Sequence, residues 1–172
     1  MDYLVIILRI IHIVAGVFWV GGVLIMTFFI GPTIGATAEA GQRFVGHLMN
    51  NLKFSNRMSI AAGLTILAGF ILYWIDSASF SSAAWMNSGP GRGFGIGAAF
   101  ALIGFVFGIL LGRTTKNMAQ LGAQLSQQGK PSAGQMSQMQ ALRKQQATYS
   151  NISAAAVILA LIFMAIARYL VF

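Results

Sequence analysis

Leu4-Val5-Ile6-Ile7-Leu8-Arg9-Ile10-Ile11-His12-Ile13-Val14-Ala15-Gly16-Val17-Phe18-Trp19-Val20-Gly21-Gly22-Val23-Leu24-Ile25-Met26-Thr27-Phe28-Phe29-Ile30 opens the chain. Only Arg9 and His12 interrupt it as ionisable groups. Crossing about 30 Å of hydrocarbon takes about 20 apolar residues in a helix. In lipid a lone segment must satisfy its own backbone polar groups, which a helix does and a single strand does not. The stretch therefore reads as a membrane-spanning helix. It lacks a short apolar core followed by a small-residue cleavage site, so it is expected to be retained rather than removed as a signal peptide.

Three further segments are apolar enough to span: residues 59–75, 93–111 and 152–172. The whole chain has 172 residues, 57% hydrophobic and only 8% charged, against about 25% charged in soluble domains. The expected fold is all-α, an up-down bundle of four transmembrane helices with cytoplasmic helical extensions. One integral membrane domain, 1–172, has spans near 4–30, 55–76, 93–113 and 149–171 and a cytoplasmic helical hairpin near 114–148. The lipid bilayer is the first partner such a chain implies.

The net charge of +8 suggests nucleic acid until the cations are placed. Arg43, Lys53, Arg57, Arg113, Lys116, Lys130, Arg143 and Lys144 all fall in the first and third connections. Arg9, Arg92 and Arg168 fall on the other side, near Asp2 and Asp76. That is the asymmetry of the positive-inside rule. It predicts connections one and three in the cytoplasm of a bacterial inner membrane, both termini outside, contact with anionic lipid, and no nucleic acid. The chain has no cysteine, which excludes disulfides, iron–sulfur clusters, thiolate zinc and c-type haem.

Gly31-Pro32 reads as the stop of the first helix, with Thr33 and Thr37 as N-caps for the next one. From Ala38 the pattern is amphipathic, with Phe44, Leu48 and Leu52 on one face and Arg43, His47, Asn50 and Asn51 around the other. No breaker is evident before the second span, so one long second helix is expected. Residues 76–91, rich in Ser and Ala and ending Ser88-Gly89-Pro90-Gly91, read as a loop, with Trp74 and Trp85 at the outer interface. In the third connection Met118, Leu121 and Leu125, then Met139, Leu142 and Gln146, repeat at helical spacing around Gly129-Lys130-Pro131-Ser132-Ala133-Gly134. Ser132 and Gln135 form an S-x-x-Q capping-box pattern. Gly104, Gly108 and Gly112, with Gly93 and Gly97 before them, let helix backbones approach closely. Packing within the bundle is the first use for them; contact with other membrane subunits, or a homo-oligomer, is the second.

His12 is the sharpest pointer to function, because an ionisable group at membrane depth is costly and mostly functional. Counted from Tyr3 it lies about 14 Å in. Helix 2 brings Thr65 and Gly69 to that level, helix 3 Gly97 and Ala101, and helix 4 Met164. Small residues opposite an imidazole leave room for something flat. The set suits a b-type haem: His12 as metal ligand, Met164, water or nothing opposite, and Arg9 and Arg168 toward propionates. Trp19 lies on the His12 face with Gly16 and Arg9 by helical spacing. The competing uses are a structural His12 that hydrogen-bonds a neighbouring helix, and arginines that snorkel to headgroups. No span carries Asp, Glu or Lys at mid-depth, which argues against an ion-coupled pump. The nine methionines form no stacked soft-ligand run of the kind copper passage favours.

The run Leu8-Arg9-Ile10-Ile11-His12-Ile13-Val14-Ala15-Gly16-Val17-Phe18-Trp19-Val20-Gly21-Gly22 resembles the first helix of a group of bacterial membrane proteins. These are the copper-resistance-D-like domain, its small four-helix relatives (the nearest in plan) and the membrane protoporphyrinogen oxidase family. They share a basic residue, a histidine shortly after it, then Trp and a small pair. In the oxidase family the first-helix histidine is implicated in haem b binding, and His12 matches it. The family's lysine early in the third helix has no counterpart in Gly91-Arg92-Gly93-Phe94-Gly95-Ile96. The resemblance thus implies haem binding without oxidase activity. The expected function is haem binding for electron transfer or porphyrin handling. The alternatives are a non-catalytic structural or accessory subunit of a larger membrane complex, and a copper-handling membrane protein.

Overall fold

The computed structural model describes residues 3–128 and 131–171. Met1, Asp2, Gly129, Lys130 and Phe172, on which part of the charge and turn expectations falls, lie outside it. Every regular element among the described residues is helical. The first is α1, Tyr3–Ile25, which passes through a π turn, Met26–Ile30, into α2, Gly31–Ala36. Then come α3, Ala38–Asn50; α4, Phe54–Asp76; the short α5, Ala83–Met86; α6, Gly89–Gln128; α7, Ala133–Ile166; and a 3₁₀ turn, Ala167–Tyr169. Four of these helices are long and apolar enough to cross a membrane. Their apolar windows are 6% to 33% buried, so most of the apolar surface faces outward, as it does when lipid is the solvent.

The expected stop at Gly31-Pro32 does not occur. The helix continues from Tyr3 to Ala36 by widening one turn. Pro32 has no N–H to give, and its ring would press on the carbonyl four residues back. The π turn relieves that clash: the Gly31 N–H reaches the Met26 oxygen, one residue further than an α-helix would. Thr33 is inside α2 rather than a cap, and its hydroxyl donates to the Phe29 carbonyl at 2.7 Å. Thr37 does stand at the N-cap of α3, but its side chain makes no cap bond and donates back to Thr33 at 2.7 Å.

The single long second helix is likewise corrected. α3 and α4 are separated at Asn51-Leu52-Lys53, where Lys53 takes a left-handed φ of 52°. The loop expected up to Gly91 ends earlier. Gly89, Pro90 and Gly91 are the first turn of α6, where proline is tolerated because its missing N–H has no helical partner anyway. Before it, Ala78, Ser79 and Phe80 hold three successive left-handed φ angles of 49°, 60° and 63°. Buried Ser77 fixes that turn, accepting the Phe80 N–H at 3.1 Å and donating to the Trp74 carbonyl at 3.2 Å.

Close contacts give the helix directions. His12 meets Thr65 and Gly69, and Gly22 meets Met58, so α1 and α4 run antiparallel. α6 and α7 do the same over their whole length: Gly89 beside Leu170, Gly93 beside Ala167, Gly104 beside Val157, Thr114 beside Gln145, Gln128 beside Gln135. α4 crosses to α6 through the Tyr73 hydroxyl, which donates to the Gly91 carbonyl at 3.2 Å. α1 reaches α7 through Thr27 and Ser150, whose hydroxyl oxygens are 2.8 Å apart. With 40 residues in α6 and 34 in α7, the hairpin is about 60 and 51 Å long, well beyond one bilayer core. Its second helix starts in the expected capping box. The Ser132 hydroxyl accepts the Gln135 N–H at 3.2 Å, and the Gln135 side chain accepts the Ser132 N–H at 2.9 Å.

Candidate functional site

His12 stands on the side of α1 turned to α4. Its Nδ1 is 2.8 Å from the carbonyl oxygen of Thr65. A carbonyl only accepts, so Nδ1 carries the proton and donates. The ring lies against Gly69, where a Cβ would stand 2.7 Å from Cε1 and 2.9 Å from Nδ1. Glycine is what lets the imidazole sit flush on the second helix. Thr65 is buried, and its own hydroxyl donates to the Ala61 carbonyl at 2.8 Å. One turn further, a Cβ on Gly16 would touch the Thr65 methyl at 3.4 Å. The two residues that depth alone placed level with His12 on the second span are thus the two it touches.

The other expected site residues are used differently. Trp19 is 5% exposed and forms the core with Ala61, Ala62 and Val157, its ring edge-on to Phe105 at 6.4 Å. Met164 lies against Gly97, where a Cβ would stand 3.1 Å from its Cε. Arg9 and Arg168 are exposed. Arg9 stays exposed one turn before half-buried His12, while Gly16 is half-buried and Trp19 buried further along the same helix. His47 is exposed on α3, near the basic end.

A haem fits part of this arrangement. The donor chemistry is right: an imidazole whose Nδ1–H is held by a backbone carbonyl is how metal-bound histidines are oriented, and Nε2 has no hydrogen-bond partner among the described residues. The small residues expected beside it already have protein neighbours. Gly69 receives the His12 ring, Gly97 receives Met164, and Ala101 packs against the Trp19 core. Among the described residues no group of three or more His, Asp or Glu gathers to hold a metal ion. Of the small residues expected to leave room for a flat ligand, Gly69 seats the His12 ring and Gly97 meets the Met164 side chain.

The glycine row on α6 divides for a geometric reason. Four-residue steps drift by about 40° on a helix of 3.6 residues per turn. Gly93, Gly97 and Gly104 face α7, and a Cβ on Gly104 would stand 2.8 Å from Val157. Buried Ser153 donates to the Gly104 carbonyl at 3.0 Å, a contact the sequence pattern did not show. Gly108 has rotated into open space, with nothing within 4 Å of its Cβ position, and Gly112 reaches only Ser55 at 4.0 Å.

Charge is sorted by the two ends of the helices. Arg43, Lys53, Arg57, Arg113, Lys116, Arg143 and Lys144 lie at the end shared by α3 and the α6–α7 hairpin, and Arg9, Arg92 and Arg168 at the other. Glu39 is paired there with Arg43 at 2.5 Å. At the opposite end an aromatic set closes the bundle: Tyr73 packs edge-on to Trp85 at 5.1 Å and against Phe80 at 6.2 Å, while Trp74 is exposed. That is where amphipathic rings sit at a membrane–water boundary. Comparison with family models, with curated proteins and with solved structures returned no match to this chain.

Proposed function

We propose that the protein is a multi-pass protein of a bacterial inner membrane, serving as a non-catalytic, structural or accessory subunit of a larger membrane complex. Its four spans form an up-down bundle, the basic end and the α6–α7 hairpin lie in the cytoplasm, and both termini face away. The observation that carries the reading is the His12 contact. The one ionisable side chain set at mid-span against a neighbouring helix is engaged between α1 and α4 by a 2.8 Å hydrogen bond and a glycine seat. The hairpin beyond the spans offers a polar surface about 25 Å long to a partner. Co-purification in mild detergent tests this. A stoichiometric partner lost when residues 118–142 are replaced by a short linker is expected. A protein that runs alone from several mild detergents overturns it.

The second reading is a b-type haem on His12 Nε2, for electron transfer or porphyrin handling, as the likeness to the copper-resistance-D-like and oxidase-like group suggests. Its support is the orientation of the ring by Thr65, and against it stand the contacts that Gly69 and Gly97 already make with His12 and Met164. One spectrum separates the two. The purified protein is expected to be colourless with or without added haem. A Soret band that disappears in His12→Ala would replace the subunit reading by the haem one. Copper handling has no support in the side-chain arrangement beyond that likeness.

A further inference from the structure

α2 and α3 fold against each other at the basic end of the first span. Gly41 sets how closely: a Cβ there would stand 2.6 Å from the Ile34 carbonyl oxygen. Between them and the end of the π turn runs an open groove of about 290 Å³, walled by Phe29, Ile30, Ile34, Ala40 and Phe44. Thr33 and Thr37 also line it. Their hydroxyls are already donated to carbonyls four residues back, so they offer the groove no free donor. Phe44, the outer wall, is 52% exposed. The groove begins at Phe29, toward the basic end of the first candidate span, and amphipathic helices beside a span lie in the membrane interface.

We propose that this groove binds one acyl chain of an anionic phospholipid, whose phosphate is held by cations at the same end. Seven described cations lie at that end of the helices with a single described carboxylate, Glu39, which Arg43 already takes. In the antiparallel register that sets Gly22 beside Met58, Lys53 falls level with Thr27, two residues before the groove wall at Phe29. A ligand with an apolar chain and an anionic head at that depth matches both halves of the site, and basic pockets beside membrane helices recognise lipid heads in this way. The inference rests on the chain spanning a membrane. It does not depend on which side the basic end faces.

The test uses the full chain reconstituted in phosphatidylcholine vesicles with trace phosphatidylglycerol or phosphatidylcholine spin-labelled on the acyl chain. The motionally restricted fraction of each lipid gives its relative affinity. A several-fold preference for phosphatidylglycerol is expected. Lys53→Gln should lower it about fivefold, the effect of one surface cation. Ala40→Phe, which fills the groove, should abolish the preference, and Ile34→Trp serves the same end should Ala40→Phe fail to insert. Resistance to alkaline extraction reports insertion separately, so failure of the membrane reading is seen for what it is. Equal affinity for the two lipids overturns the proposal. So does a preference that survives groove filling, which would mark a headgroup contact alone. A wild-type dimer that Phe44→Ala dissociates would make a second copy the occupant and also overturn it.

Discussion

At His12 one side chain joins two spans because three residues agree: the imidazole, the Thr65 carbonyl and the missing side chain of Gly69. Hydrogen bonds between membrane helices contribute about 0.6 to 2 kcal/mol, so His12→Ala should destabilise the detergent-solubilised protein by that amount, read from reversible unfolding in a denaturing detergent. Gly69→Ala puts a methyl where the ring lies and should cost about 1 kcal/mol or more, through loss of the same bond. The two effects share one contact, so they should not add. Gly69→Ala should be nearly neutral in the His12→Ala background, and full additivity would show that the ring does not rest on Gly69. The sequence made this contact half legible. A rise of about 1.5 Å per residue puts Thr65 and Gly69 level with His12, but level is not facing. Arg9, one turn away, stays exposed, and Trp19 is buried in the core. Rotational position needs the packing partner, which depth does not supply.

The same limit governs the helices. The long apolar runs and the Ser132–Gln135 capping box are local patterns, and each appears in the structure where local chemistry puts it. The boundaries that went astray depend on neighbours. Pro32 ends a helix in isolation, yet here a π turn absorbs it and the Thr33 hydroxyl covers a carbonyl. Lys53 shows no breaker chemistry in sequence but carries the left-handed corner between α3 and α4. Gly89-Pro90-Gly91 looks like a loop and is a helix start pressed on other backbones: a Cβ on Gly89 would collide with the Leu170 carbonyl oxygen. Two glycines of one helix should therefore answer oppositely to the same change. Gly89→Ala should separate the ends of α6 and α7, read as lost protection of amide hydrogens from exchange across that contact. Gly108→Ala, in open space, should be neutral or stabilising by up to about 1 kcal/mol from helix propensity. A destabilised Gly108→Ala would place an unseen partner on that face and revive the oligomer reading of Gly108 and Gly112. Ser132→Ala should fray the start of α7 at a cost of about 1 kcal/mol, visible as faster exchange confined to residues 133–137.

For the molecule as a whole, topology follows from antiparallel pairing plus charge. The α1–α4, α4–α6 and α6–α7 contacts each join helices of opposite direction, so if all four candidate spans cross, an even number of crossings returns the chain to the side where it began. On the proposed membrane reading, the turn between α6 and α7 is expected on the opposite side from both ends. Positive charge decides which side is which, because cytoplasmic flanks of spans collect Lys and Arg, and the hairpin end holds Arg113, Lys116, Arg143 and Lys144. Reporter fusions beside Ser132 and after the 3₁₀ turn Ala167–Tyr169 should give opposite readouts, with the Ser132 fusion in the cytoplasm. Equal readouts would mean that one of the four helices does not cross, and the first to suspect is the one whose π turn at Met26–Ile30 departs from regular geometry. Opposite readouts with Ser132 outside would keep the bundle and reverse it. Charge reversal separates those cases further. Replacing Arg113, Lys116, Arg143 and Lys144 by Gln should weaken the bias and yield a mixed population, the outcome expected where cations select between two insertions of a bundle whose packing they do not make.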